Sequence, residues 1–332
     1  MPCLTRTPLR LGLAGGGTDI PPFSFEEGGA VVNAALGLYV YVLAKWRHDD
    51  RFRVSYTKTE VADSPEGLQH ELAREALLLC GIRRGVEIVT VSDIPGAGSG
   101  LGSSSAVTVG ILHALCQLQG RRVHQEELAD MAAHIERDVL RRPIGWQDQY
   151  GCAVGGVKLL RIGPGAHVQC HRLRLREEAL RRAEESMALY WVSAPPPSAT
   201  VLQEQVEADR RGLLRRMKQV ALRLGHELTG TDPATAIARA VADGWEAKRQ
   251  LCGAINCPAM EAMSAHALAA GAEAVKLCGA GGGGYMLVCA ESRAQEAIAA
   301  RLGRKPLPVR FDYLGTTILM GGEHAGLAGR AA

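Results

Sequence analysis

Between Asp93 and Ala106 the chain reads Asp-Ile-Pro-Gly-Ala-Gly-Ser-Gly-Leu-Gly-Ser-Ser-Ser-Ala, with four glycines and four serines. A strand-like run (Val86, Ile88, Val89, Val91) leads in, and an apolar helical run from Val107 leads out. At such a junction the backbone N–H groups of the loop can point inward together. The open N–H groups and positive dipole end of the next helix add to them, and the result suits an anion, most naturally phosphate. Glycine permits positive φ and close backbone approach, while serine hydroxyls can bond phosphate or a metal ion. A solvated Gly/Ser turn has the same composition, so the segment alone leaves both readings open. It is neither of two familiar phosphate loops. G-x-x-x-x-G-K-[ST] is absent, and the spacing is G-x-G-x-G, not G-x-G-x-x-G, far from the first strand.

Two further glycine turns lie far away in the chain. Gly15-Gly16-Gly17-Thr18-Asp19 reads as a ligand-approach turn or a plain tight turn, and Cys278 is followed by Gly279-Ala280-Gly281-Gly282-Gly283-Gly284. The elements that must carry these turns can be read from periodicity. Leu4–Ala14, Ala30–Trp46 and Phe52–Thr57 predict strands, and Pro65–Cys80 predicts a helix capped by Ser64. Ala106–Leu118 predicts a buried, nearly all-apolar helix, and Glu126–Val139 a second helix with Glu136 near its end. Strands follow at Val157–Ile162 and Val168–Leu175, with Arg176–Glu185 as a charged connector.

In the second half, Ala188–Val192 is a strand that runs into Pro195-Pro196-Pro197, a stiff loop readable as a linker or a substrate-facing wall. Helices are expected at about Ala199–Leu228, Pro233–Gln250 and Pro258–Ala270. Strands at Ala274–Leu277 and Tyr285–Ala290, a helix at Arg293–Leu302 and a strand at Val309–Leu314 close the chain. This order suits an α+β fold of two domains, residues 1–180 and 186–332, the second an antiparallel sheet with helices on one face.

Composition removes several function classes. The chain has 332 residues, 47% of them apolar, and a net charge of +3 with acidic and basic residues interspersed. That balance gives no case for nucleic acid, and aromatics at 5% leave no basic stacking surface. The most apolar segment, Ala30–Ala44, is short for a membrane span and contains Asn33 and Gly37. Met1–Arg10 carries no secretory apolar core. Nine scattered cysteines without C-x-x-C predict reduced, buried thiols in a cytoplasmic protein, and ten histidines show no zinc spacing.

Taken together, the three glycine turns resemble the motifs of the GHMP small-molecule kinases. Thr7-Pro8-Leu9-Arg10 through Asp19 is similar to motif one. Pro95 with Gly100-Leu101-Gly102-Ser103-Ser104 is similar to motif two, and Lys276-x-Cys278 through Gly284 to motif three. The resemblance spans essentially the whole chain. It implies a ribosomal-S5-like N-terminal domain and a ferredoxin-like C-terminal domain, with ATP and the acceptor between them. By the same resemblance Pro95, Gly96, Gly98, Gly100, Leu101, Gly102, Ser103, Ser104 and Ser105 hold ATP, and Ser104 (Ser103 in reserve) with Glu136 holds Mg²⁺. Asp148, within Gln147-Asp148-Gln149, corresponds to the catalytic base, and Arg10 to the cation facing it. Gly16, Gly17, Thr18 and Asp19, with Gly281 and Gly282, fall at sugar-binding positions.

The Gly-Gly-Gly-Thr-Asp form of motif one resembles the branch that contains D-glycero-α-D-manno-heptose 7-phosphate kinases and the kinase portion of L-fucokinases. The resemblance therefore implies phosphorylation of the anomeric hydroxyl of a heptose 7-phosphate, or of a free sugar such as L-fucose, by a monomer or homodimer. A non-catalytic nucleotide- or sugar-binding relative is the reading from a different class. Trp146 before Gln147, the Ser193–Ala199 stretch with its prolines, and Cys278 in motif three depart from the family pattern. The first two bear on acceptor choice. Arg141 and Arg142 adjoin the Asp148 segment and read either as cations for an acceptor phosphate or as solvated charges at a helix end.

Overall fold

The computed structural model describes residues 1–94, 98–194, 198–207 and 210–321. Pro95 and Gly96 of the glycine loop, and Pro195–Pro197, lie outside the described residues. The first part of the chain supplies β1 (Cys3–Ala14), β2 (Gly29–Trp46), β3 (Phe52–Ser55), β4 (Thr59–Ala62), β5 (Val86–Ser92), β6 (Val157–Ile162) and β7 (Val168–Leu173). The second supplies β8 (Met187–Ser193), β9 (Ala274–Leu277), β10 (Gly284–Cys289), β11 (Leu307–Pro308) and β12 (Thr317–Met320). Among the described residues these build two sheets. One runs β12-β1-β2-β5-β3-β4, with β6 and β7 attached through β2, and the other runs β11-β8-β10-β9, antiparallel throughout.

Helices are α1 (Phe23–Glu27), α2 (Glu71–Leu79), α3 (Ser103–Leu118), α4 (Gln125–Ala133), α5 (Gln147–Ala153), α6 (Glu177–Glu185), α7 (Ser198–Glu207), α8 (Arg211–Glu227), α9 (Pro233–Lys248), α10 (Pro258–Ala269) and α11 (Gln295–Leu302). The fold is the expected α+β arrangement.

The long strand β2 organises the first sheet. Its first half pairs with β6 and its second half with β5, while β1 runs along its other edge. Every residue from Gly29 to Leu36 is buried, so this half of the strand is covered on both faces, and its one polar side chain, Asn33, donates from Nδ2 to Gln147 O at 2.9 Å. Helix α3 packs on β1 and β2, and it approaches closely at Gly110, where a Cβ would stand 2.9 Å from Val42 Cγ2. Helix α8 also lies on β1 and β2, and α9 bridges β1 and β9. One apolar core consequently holds Leu9, Leu11 and Leu13 of the first sheet together with Leu189 and Leu287 of the second.

Several expected elements differ. Pro65–Gly67 is a short 3-10 turn, and the helix begins only at Glu71, capped by His70 Nδ1 accepting from the Ala73 N–H at 3.2 Å. The expected helix to Val139 is α-helical only to Ala133 and continues as a π-helical turn over His134–Val139. The Arg176–Glu185 connector is mostly the helix α6, which buries Ala179 and Ala183 under a highly charged outer face. The single long helix expected from Ala199 is instead the two helices α7 and α8. Val309–Leu314 is not a strand. Pairing with β8 falls on Leu307–Pro308, and Phe311 makes only an isolated bridge to Leu36. Beyond it, β12 pairs antiparallel with β1 in the first sheet, so a segment from the far end of the expected second domain belongs to the first sheet.

Candidate active site

The three glycine turns converge. Gly100 and Gly279 touch backbone to backbone: a Cβ on Gly100 would stand 2.6 Å from Cys278 O, and one on Gly279 would stand 2.7 Å from Gly100 Cα. Both have positive φ, 76° and 67°, so glycine is required by conformation and by space. The Tyr285 N–H donates to Ser99 O at 3.0 Å, a second tie between the same loops. From the first turn's strand, the Arg10 N–H donates to Leu101 O at 2.9 Å.

Arg10 lies at the centre, 4% exposed. Its Nε and Nη2 donate to the two oxygens of Asp148 at 2.7 and 2.9 Å, and its Nη1 donates to Gly100 O at 2.5 Å. This bidentate pair fixes the plane of the carboxylate, while the third bond ties the guanidinium to the glycine loop. Burial acts to lower the Arg10 pKa, but Asp148 outweighs it and the net shift is upward. The carboxylate keeps 28% exposure, so it faces open space as well as its partner.

Asp148 occupies the first turn of α5, between two glutamines that make different connections. Gln147 Nε2 donates to Asp19 Oδ1 at 3.1 Å, and Gln149 Nε2 donates to Glu136 Oε1 at 3.2 Å. Successive helical residues point about 100° apart. Three neighbours in sequence therefore reach the first glycine turn, the central arginine and the acidic residue of the π-helical turn.

Glu136 is buried and its pKa is raised. Burial is the main cause, opposed by a hydrogen bond from Ser105, the charge of Arg142 and Gln149. Ser104 Oγ donates to Glu136 Oε2 at 3.2 Å. Ser103 points elsewhere, its hydroxyl 2.9 Å from that of Ser99 inside the loop. Hydroxyl and carboxylate are the hard oxygen donors that suit Mg²⁺, which takes few protein ligands and completes its shell with phosphate oxygens and water. The start of α3 also fits phosphate. Its N-cap, Gly102, has φ 78° and makes no side-chain cap bond to the first turn of the helix.

A pocket lies beside this pair, lined by Arg10, Gly12, Gly16, Gln147, Lys248 and Lys276 among others. Lys276 Nζ donates to Gly12 O at 2.6 Å, and Lys248 Nζ donates to Gly279 O. Each ammonium has further N–H groups beyond those bonds. Burial, reinforced by Lys276 and Arg10, pulls Lys248 down to about 7, and burial also lowers Lys276.

Some expected roles change. Asp19 is fully buried. Its Oδ2 accepts from the N–H groups of Trp146 and Gln147 at 2.9 and 3.0 Å, and its Oδ1 from Gln147 Nε2 and the Gly17 N–H. A carboxylate has about four acceptor sites, and in this structure all are occupied from within the protein, which ties Asp19 to the turn that carries Asp148. Thr18 closes its own turn on the carbonyls of Gly15 and Ala30. Only Gly16 of the Gly16–Asp19 set lines the pocket. In motif three the lining residue is Gly279. Gly281 packs against Ile255, and the Gly282 N–H donates to Ile255 O at 2.8 Å.

Trp146 is buried, stacked by Arg137 at 3.7 Å and met edge-on by Phe25, so it shapes the site from behind. Arg142 is neither a solvated charge nor beside the pocket: its Nη1 donates to Ser104 Oγ at 2.8 Å. Sequence reasoning missed Lys248, which reads as one more charge on an amphipathic helix. The Lys276 of motif three was visible, but its burial was not.

Residues 68–156 match the model of the GHMP kinases N terminal domain, and residues 233–308 match that of the GHMP kinases C terminal domain. The chain is 28% identical over 298 residues to a D-glycero-alpha-D-manno-heptose 7-phosphate kinase of Campylobacter jejuni, covering 85% of this chain and 87% of that protein. It is 29% identical over 339 residues to the L-fucokinase/L-fucose-1-P guanylyltransferase of Bacteroides fragilis, covering 89% of this chain but 35% of that protein. The crystal structure of a D-glycero-D-manno-heptose 1-phosphate kinase from Bacteroides thetaiotaomicron superposes with a TM-score of 0.78 at 27% identity, over 96% of this chain and 99% of the other. No helix among the described residues is long and apolar enough to cross a membrane.

Proposed function

Because this chain belongs to the GHMP kinase family, we propose that it transfers the γ-phosphoryl group of ATP to the anomeric hydroxyl of a sugar that already carries a phosphate, D-glycero-D-manno-heptose 7-phosphate. The observation that carries the reading is the Arg10–Asp148 pair, set between the glycine loop and a pocket lined by two half-buried lysines, Lys248 and Lys276. A carboxylate held at that point accepts the proton of the acceptor hydroxyl as the phosphoryl group arrives. Arg10 keeps the carboxylate plane fixed and supplies positive charge where negative charge gathers. The N–H groups at the start of α3 face the ATP phosphates, and Ser104 and Glu136 would hold Mg²⁺. When bound, that ion neutralises charge on the β- and γ-phosphates.

The pocket's charge favours a phosphorylated acceptor. Arg10 is matched by Asp148, while Lys248 and Lys276 donate, among the described residues, to backbone carbonyls. An anionic group entering the pocket would favour the charged state of both lysines against the cost of burial. A free-sugar kinase is the second reading, favoured by the similarity to about a third of the length of an L-fucokinase/L-fucose-1-P guanylyltransferase and by Gly-Trp-Gln-Asp-Gln around Asp148. ADP release measured side by side with heptose 7-phosphate, the unphosphorylated heptose and L-fucose separates the two, with the phosphorylated carbon located by NMR. Turnover confined to the free sugars would overturn the heptose 7-phosphate assignment. Absence of turnover with every sugar, despite ATP binding, would make the chain a non-catalytic relative.

A further inference from the structure

The side chains that suit a divalent metal are already in contact with a cation. Arg142 Nη1 donates to Ser104 Oγ at 2.8 Å and to Glu136 Oε2 at 3.3 Å, and its Nη2 donates to Glu71 Oε2 at 3.4 Å. One guanidinium nitrogen thus touches both atoms assigned to Mg²⁺. The backbone is built to return it there. The Arg142 N–H donates to the carbonyl of Glu136 at 3.0 Å, and Arg141 just before it has φ 52°, in the left-handed region that residues with a Cβ seldom enter. Gln149 holds the other oxygen of Glu136, so the lone pairs facing Ser104 are those that Arg142 uses. The Arg142 side chain is 31% exposed, which leaves it a way out into solvent.

We propose that Arg142 is the resident cation of the Ser104–Glu136 pair, and that a divalent metal must displace it to bind. This rests on the metal assignment made under the proposed function, but not on the identity of the sugar. A guanidinium and a divalent ion cannot share two oxygen ligands at contact distance, because both need the same lone pairs and their charges repel. The free protein then keeps its buried carboxylate compensated, and takes up metal weakly until a nucleotide supplies the remaining oxygen ligands. Arg142 thereby sets how much free metal the protein tolerates before the site fills.

The test is Mn²⁺ binding to the full chain, followed by electron paramagnetic resonance without nucleotide. Arg142→Gln should bind Mn²⁺ roughly ten- to a hundredfold more tightly than wild type, the scale of one charge-assisted hydrogen bond. Arg142→Lys keeps the charge and should stay near wild type. Equal or weaker Mn²⁺ binding in folded Arg142→Gln overturns the proposal. Absence of Mn²⁺ binding in all three proteins without nucleotide overturns the proposal, and its absence with ATP added as well overturns the metal assignment with it, whereas loss of sugar turnover touches neither. If the glutamine variant does not fold, wild type still decides. Millimolar Mn²⁺ should raise phenylglyoxal modification at Arg142, read by mass spectrometry, and unchanged or reduced modification overturns the proposal.

Discussion

Asp148 and Arg10 each satisfy the other, and this mutual dependence shapes what substitution does. Asp148→Asn keeps the volume but cannot take a proton from the acceptor. We expect kcat to fall by about 10²–10⁴-fold while nucleotide affinity, measured by calorimetry, stays close to wild type. Turnover within a few-fold of wild type would remove Asp148 from the base role. Lys248 gives a prediction of opposite character. Its folded pKa is drawn down to about 7 by burial, Lys276 and Arg10, against an ordinary value of 10.5. Between those values the unfolded chain holds the proton and the folded one does not, so stability from this group rises with pH across that window. Below about pH 7 the full cost of burying the charge is present. Lys248→Met should therefore be more stable than wild type at pH 6, and the advantage should shrink toward pH 9, as read from urea midpoints. A constant difference across that range would mean that the lysine does not titrate there. At this scale the sequence offered candidates for the chemistry but did not tell which of them face the pocket. Asp148, Arg10, Ser104 and Glu136 were legible because their motifs are local or familiar. Asp19 has the residue type of a ligand, and only its burial beneath the Trp146–Gln147 turn reveals a carboxylate with no acceptor site to spare.

Helix α5 and the two touching glycine loops decide whether those residues meet. Gly100→Ala would place a methyl group 2.6 Å from Cys278 O at a φ of 76°, so the loops must separate. Because Gly100 O also accepts from Arg10, the variant should raise the KM for ATP and lower kcat together, and it should lose stability by about 1–3 kcal/mol. An unchanged KM with lowered stability alone would show that the loop contact is only structural. Most helices and strands were legible from periodicity, and the exceptions have identifiable causes. Arg176–Glu185 hides a helix because its buried stripe consists only of alanines among charges. The π-helical turn at His134–Val139 left no mark, since a single such turn at the end of a helix is too short to alter the apolar period visibly.

Across the whole molecule, Leu189 and Leu287 of the second sheet pack in the same apolar cluster as Leu9, Leu11 and Leu13 of the first, while Tyr190, Leu277 and Met286 on the second sheet form a cluster of their own with Met260 and Ile298. Residues 1–180 and 186–332 are thus joined through a common cluster, and the second stretch has a further cluster of its own. We expect urea unfolding followed by tryptophan fluorescence and by circular dichroism to give coincident transitions, since Trp46 and Trp146 belong to one sheet's surroundings and Trp191 lies in β8 of the other. Two separated transitions would contradict a shared core. Element order and the three motifs made the α+β architecture legible at this scale, but the pairing of β12 with β1 joins segments some three hundred residues apart and leaves no local pattern. That pairing also has a consequence in time. A ribosome releases β1 early, yet the strand that covers its outer edge emerges after all four strands of the second sheet. Until then β1 presents an open edge, and the nascent first sheet depends on chaperones or on haste to avoid pairing with a neighbouring chain.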